Sequence, residues 1–239
     1  MKRSPGPFRR SLLLPSGGLV WHVRAWRHHH GWTAYLQELD RWLQGWAPDC
    51  RDLLMLGPSA GWCLSREFLG RYRSVVAVDL DPLAPWLFKL RHGAGLRRHG
   101  VQLRWLAVDA FAHLERLLRE HPGHAVLFCN LLGQHIVHES SLDRTRVVLG
   151  QIKHRLRGRV WASFHDCLSQ GPVCVTPRPV AVMVPAQTSL PRIADRLGLE
   201  GHWQDHQTAE VLPAHVPRHY LAWPITPERM HIIEAGAVA

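Results

Sequence analysis

Apolar positions in this chain follow two rhythms. Short, nearly unbroken apolar runs cover Leu53–Leu56, Val75–Val78, His124–Cys129 and Val160–Phe164, and Val101–Val108 alternates and then runs apolar. Runs of that length, bounded by Gly, Pro or Asp, read as buried strands. Between them the apolar residues recur every three to four positions, which is helical spacing. Trp62–Tyr72 carries Leu64, Phe68 and Leu69, and Ala84–His92 carries Trp86, Leu87 and Leu90. Phe111–Glu120 carries Leu114, Leu117 and Leu118; Glu139–Arg157 carries Leu142, Val148, Leu149, Ile152 and Leu156. Strands alternating with helices predict an α/β fold, a doubly wound and mostly parallel sheet.

Both ends of the chain add to this. Leu19, His22 and Ala25-Trp26 fall at helical spacing, and Thr33–Trp46 predicts a second helix with Leu36, Leu39, Trp42 and Leu43 on one face. Thr33 is placed to cap it. Residues 1–48 are therefore expected to form a tail and a two-helix extension, and residues 49–239 the α/β domain. Gln170–Pro185, with its prolines, reads as a crossing loop or short edge strand, and Leu190–Leu197 as a helix. Glu200–His206 and His219–Ile225 predict a closing antiparallel hairpin, for a seven-stranded sheet.

The stretch Leu53 to Pro82 carries the most chemistry. The first strand ends at Gly57-Pro58-Ser59-Ala60-Gly61, a helical pattern follows, and the second strand ends at Asp79-Leu80-Asp81-Pro82. Glycines allow a tight turn and bring a ligand close to the backbone. Free N–H groups at the start of the next helix point at that ligand. An acid at the second strand's tip, roughly twenty residues on, accepts from ribose hydroxyls.

Glycines at 57 and 61, with Ser59 between them, fit a G-x-G-x-G spacing better than G-x-G-x-x-G, which would need one at Trp62. Here the chain resembles the class I S-adenosylmethionine-dependent methyltransferases, whose first motif is an acid-x-G-x-G-x-G loop. Ser59 stands at that motif's middle glycine and Met55 at its acid. The resemblance implies a seven-stranded methyltransferase-like sheet and S-adenosylmethionine as cofactor on Gly57, Pro58, Ser59, Ala60 and Gly61, with the ribose on Asp79. It implies that Asp109 and Ala110, at the third strand's end, lie beside the adenine. It also brings the N-terminal helices over the cofactor end of the sheet, with Gly17-Gly18 and His22-Val23-Arg24 near the site. Asn130 and Gln134, after the fourth strand, would face the transferred methyl group. His165-Asp166, read as the tip of the fifth strand, offers a candidate general base in His165.

Two other classes are open. Gly57–Gly61 also spells G-x-S-x-G, the nucleophile elbow of serine hydrolases; Ser59 would then need Asp166 and His219 downstream. A degenerate methyltransferase fold serving as a cofactor-less binding protein is the other. Composition narrows the partners. The net charge of +10 rests almost wholly on arginine, since Lys2, Lys89 and Lys153 are the only lysines. Such charge admits RNA, and with it an RNA methyltransferase. The arginines are dispersed without interleaved aromatics, which favours a small polar molecule as acceptor. No apolar run approaches the ~20 residues that span a bilayer, so no membrane partner is expected. Five cysteines at scattered spacings suggest no disulfide framework and a cytoplasmic location. No cysteine and histidine spacing matches a zinc site, so no metal is expected.

Overall fold

The computed structural model describes residues 18–133, 142–171, 181–184, 193–194, 196–199 and 201–239, with backbone alone for 142–146 and 181–184. The strands are β1 (Asp52–Leu56), β2 (Ser74–Val78), β3 (Gln102–Leu106), β4 (Ala125–Cys129), β5 (Trp161–Gln170), β6 (Ala181–Val184), β7 (Gln204–Asp205), β8 (Arg218–Thr226) and β9 (Arg229–Val238). They form one sheet in the order β3-β2-β1-β4-β5-β9-β8-β6, with β7 paired to the end of β5. The first five are parallel, and β9, β8 and β6 are antiparallel. This is the expected doubly wound, mostly parallel sheet; β6 falls in the Gln170–Pro185 stretch read as a loop or short edge strand, and β9 is not among the anticipated strands.

β1, β2, β4 and β5 are buried on both faces, which is why they read as apolar runs, while β3 at the sheet's edge is exposed to half-buried. Side chains alternate across β1. Leu53 and Met55 join one core with Leu39, Phe68, Phe88 and Trp223. Leu54 and Leu56 join the other with Leu114, Phe128 and Leu149. Helices α1 (Gly18–His28), α2 (Thr33–Gly45), α3 (Arg66–Leu69) and α4 (Ala84–Arg98) cover the first face; α5 (Leu114–Glu120) and α6 (Leu142–Arg155) cover the second. The N-terminal helices thus share the core of the sheet, with Trp32 and Tyr35 packed on Trp223. No helix among the described residues is long and apolar enough to cross a membrane.

Four expectations need correction. The helix anticipated over Trp62–Tyr72 is the single turn α3, because turns occupy the chain until Ser65 caps it, its Oγ accepting from the Phe68 N–H. Thr33 caps nothing. A 3-10 turn (His29–Trp32) runs directly into α2, and the Thr33 hydroxyl donates back to the His30 carbonyl. The closing hairpin is β8 with β9, and of Glu200–His206 only Gln204–Asp205 is strand. β5 continues to Gln170, so His165-Asp166 lies in mid-strand, not at its tip. The anticipated Leu190–Leu197 helix falls largely outside the described residues.

Candidate active site

The strand order reverses between β1 and β4, and the crevice off their carboxyl ends is where ligands of such sheets bind. Its floor is the loop after β1. Gly57, Ser59 and Gly61 all hold positive φ, at 71°, 50° and 66°. A left-handed residue at every second position explains why glycine suits 57 and 61. Ser59 accepts the same conformation at a cost of roughly 1–2 kcal/mol. At Gly61 an added Cβ would also lie 2.6 Å from His92 Nε2 and 2.8 Å from Phe88. Gly61→Ala is therefore expected to destabilise the fold by more than about 1 kcal/mol, read as a fall in thermal midpoint. Burial pushes the His92 imidazole down to about 4. The ring is thus neutral near pH 7, and its Nε2–H donates to the Gly61 carbonyl at 3.0 Å.

Asp79 sits at the tip of β2 beside this loop. Its Oδ2 accepts from the Ser59 N–H at 2.7 Å and its Oδ1 from the Asp81 N–H at 2.9 Å. Burial pushes its pKa up to about 6, against the pull of these two amide donors. Each oxygen keeps lone-pair capacity for one more donor.

Asp81 has a different role. Its Oδ2 accepts from the Gly18 N–H at 2.8 Å and lies 2.9 Å from His22 Nε2. His22 Nδ1 accepts from Trp62 Nε1–H at 3.1 Å, so the ring proton belongs on Nε2, facing Asp81. Burial alone would raise the Asp81 pKa, but His22 and the amide donors bring it below the ordinary value. α1 is thereby pinned across the loop, and Trp21 Nε1–H donates to Ser59 Oγ at 3.1 Å.

Trp21, Gly57, Pro58, Ser59, Asp79, Asp81, Asn130 and Trp223 are among the residues lining a cavity of about 100 Å³. Asn130, immediately after β4, also holds positive φ, at 53°. Its N–H donates to the Phe164 carbonyl, and its Oδ1 accepts from the Asp166 N–H at 2.8 Å. Asn130 thus lines the cavity on a strained backbone, as functional sites often show.

Behind this wall lies a polar cluster. Asp166 Oδ2 is 3.2 Å from His231 Nδ1, and His206 Nε2 is 2.8 Å from Ser169 Oγ. Burial alone would push the Asp166 carboxyl up; the neighbouring His231 outweighs it, and the pKa is lowered. Asp166 Oδ1, His231 Nε2, His206 Nδ1 and Trp223 Nε1 are buried with no hydrogen-bond partner among the described residues. Unsatisfied buried groups are costly and mark places where a ligand or water completes the bonding.

The structure therefore brings Gly57, Pro58, Ser59, Asp79 and Asn130 to one cavity, with Ala60 and Gly61 in the same turn. Asp109 and Ala110 do not line it. Asp109 Oδ1 accepts from the Phe111 and Ala112 N–H groups, and Ala110 is buried in the second core. Gln134 lies outside the described residues. His165 is a correction. Its ring faces the opposite side of β5, fully buried between Ser163 Oγ at 3.0 Å and Glu234 Oε2 at 3.1 Å. The histidine that meets Asp166 is His231, which periodicity did not single out; its position depends on the pairing of β9 with β5.

The hydrolase triad is not assembled. Ser59 Oγ meets Trp21, Asp166 meets His231, and His219 lines a separate cavity with Glu38 and Trp42. Ser59 is accordingly expected to stay unlabelled by a fluorophosphonate probe, with intact mass as readout; labelling would restore the hydrolase reading. Among the described residues, no group of three or more His, Cys, Asp or Glu is placed to hold a metal ion.

No protein-family model matches the chain, and no curated protein does. Among solved structures it is similar to the N-methyltransferase NodS from Bradyrhizobium japonicum WM9 in complex with S-adenosyl-L-homocysteine, at 11% identity over 97% of both chains and a TM-score of 0.47. It is also similar to magnesium protoporphyrin IX methyltransferase (ChlM) from Synechocystis PCC 6803, at 12% identity over 85% of this chain and 83% of that one, TM-score 0.44. The glycopeptide N-methyltransferase MtfA complexed with S-adenosylmethionine matches at 14% identity over 84% of this chain and 92% of its own, TM-score 0.41. Likenesses this distant settle neither the cofactor nor the acceptor.

Proposed function

We propose that this chain binds S-adenosylmethionine on Gly57–Gly61 and transfers its methyl group to a small polar acceptor. The observation that carries the proposal is Asp79 at the tip of β2, held against the left-handed Gly57–Gly61 turn with spare acceptor capacity on both oxygens. A ribose diol presents two donors at the spacing of a carboxylate's two oxygens. Asp109 and Ala110, after the neighbouring β3, lie on the adenine side in this reading.

Met55 is wholly buried in the core beneath the loop, so no side-chain acid meets the cofactor's amino group there. Its amino-acid end would rest instead on loop amides and the Asn130 side chain. The cavity of about 100 Å³ is smaller than the ~300 Å³ or more of a typical ligand site. Binding in this reading therefore displaces Trp21 from Ser59.

When bound, the cofactor supplies an electrophilic methyl group on a sulfonium. The chain's own residues orient the acceptor and handle its proton. Asn130 offers amide donors. His231, with Nδ1 toward Asp166 and Nε2 without a partner among the described residues, would be the group to take the acceptor's proton. Much of the acceleration would come from holding the two reactants together.

Calorimetry with S-adenosylmethionine and its demethylated product tests the reading. Saturable binding of either supports it; no binding at millimolar concentration of both favours the cofactor-less binding protein. Filter binding with total cellular RNA tests the acceptor. Tight retention with a steep salt dependence would replace the small molecule by RNA and leave the cofactor assignment standing.

A further inference from the structure

α1 is pinned by one face and apolar on the other. Gly18, His22 and Ala25 are buried against the loop and core. The opposite face carries Leu19, Val23 and Trp26 in a stripe at spacings of four and three, with Val20 beside it. All four are exposed, Trp26 at 72%. An amphipathic helix is expected to turn such a stripe inward. Here the polar His22 is inside and the tryptophan outside.

A second set of exposed apolar residues follows β2. Asp81 binds Gly18 at the start of α1 and leads directly into α4, its carbonyl accepting from the Ala84 N–H. Leu80, next to Asp81, is 57% exposed, and Trp86 and Leu90, one turn apart on the outer side of α4, are 66% and 69% exposed. The two helices cover the same face of the sheet and are linked through Trp62, which bonds His22 and lies under the Arg91 guanidinium at 3.9 Å.

Along these two segments the charge has one sign. No Asp or Glu occurs from Gly18 to Gln37 or from Pro82 to Val108. Arg24 and Arg27 flank the stripe on α1, and Lys89, Arg97 and Arg98 are exposed along α4. The adjoining Asp81 is buried against His22, and Asp79 is turned to the loop amides. Exposed tryptophan and branched aliphatic side chains among cations, without carboxylates, match the surface of an anionic bilayer. The aromatic and aliphatic groups enter the headgroup boundary while the cations meet lipid phosphates.

We infer that the outer face of α1 with the start of α4 docks this protein peripherally on anionic lipid membranes. This differs from spanning, which the short apolar runs exclude for the described helices. It does not depend on methyl transfer.

Flotation of the full chain with vesicles tests the inference. The protein is expected to float with phosphatidylcholine vesicles containing phosphatidylglycerol, to stay behind with phosphatidylcholine alone, and to be released by rising salt. A Leu19→Ser, Val23→Ser, Trp26→Ser variant should lose roughly tenfold or more in partitioning, since three buried apolar groups are removed. These side chains are exposed, so circular dichroism and the thermal midpoint should be unchanged. An Arg24→Gln, Arg27→Gln variant, which leaves the apolar stripe intact, should weaken binding to the anionic vesicles. Absence of flotation, or equal flotation of the serine variant, overturns the inference. So does a dimer in sedimentation that the serine variant abolishes, for then a second copy of the chain covers this face.

Discussion

Asp79→Ala is expected to weaken S-adenosylmethionine binding by about 1.5–3 kcal/mol, roughly ten- to a hundredfold in dissociation constant. The carboxylate is the charged acceptor proposed for the ribose, and hydrogen bonds to charged groups carry more than neutral ones. The change also removes the acceptor of the Ser59 and Asp81 N–H groups, so a lower thermal midpoint is expected beside it. pH offers a second readout. With the Asp79 pKa raised to about 6, the acceptor-only form dominates above pH 6 and is lost below it. Affinity should therefore fall as pH drops through about 6, and an Asp79→Asn variant should show no such fall. Unchanged calorimetric affinity in the Ala variant would remove Asp79 from the site.

Glu234→Ala is expected to cost the fold about 3–5 kcal/mol, the usual penalty for removing one member of a buried ion pair. Glu234 is 1% exposed and binds three partners. Its Oε1 lies 2.8 Å from the Arg218 guanidinium and accepts from the Tyr220 hydroxyl at 2.9 Å, while Oε2 meets His165. Truncation takes the carboxylate from Arg218, itself 5% exposed, and leaves it neutral acceptors such as the Ala209 and Leu212 carbonyls. Chemical denaturation should show the lower midpoint. A Glu234→Gln variant, which keeps the hydrogen-bonding shape without the charge, should lose less. An Ala variant as stable as the parent would mean that the network contributes nothing net, as buried pairs sometimes do.

This network also explains why His165 misleads in the sequence. A His-Asp pair after an apolar run looks like a strand tip, where catalytic groups belong. Side chains alternate across a strand, so the two residues of such a pair cannot both face the crevice. Asp166 takes the crevice side, near Asn130, and His165 takes the other, near Glu234. Which residue goes where depends on β5 running ten residues and on the antiparallel return of β9. No local pattern carries that pairing. The apolar stretch Ile232–Ile233, interrupted by Glu234, gives no clear two-residue alternation, because β9 is buried on both faces.

The N-terminal helices show the same division. Their existence follows from spacing, but their orientation does not. Ordinary amphipathic logic would bury Trp26 and expose His22. The structure reverses both, because His22 bridges Trp62 and Asp81 and so satisfies two polar partners at once.

The sequence by itself determined the five parallel strands, the Gly57–Gly61 turn and Asp79 at the next tip. Apolar runs buried on both faces and positive-φ glycines are local requirements that leave local traces. Only the tertiary structure decided that Asn130, Asp166 and His231 meet behind the crevice, that His165 leaves it, and that α1 carries its apolar stripe outward. Those outcomes depend on strand order and on hydrogen bonds between residues far apart in the chain, and such contacts leave no periodicity to read.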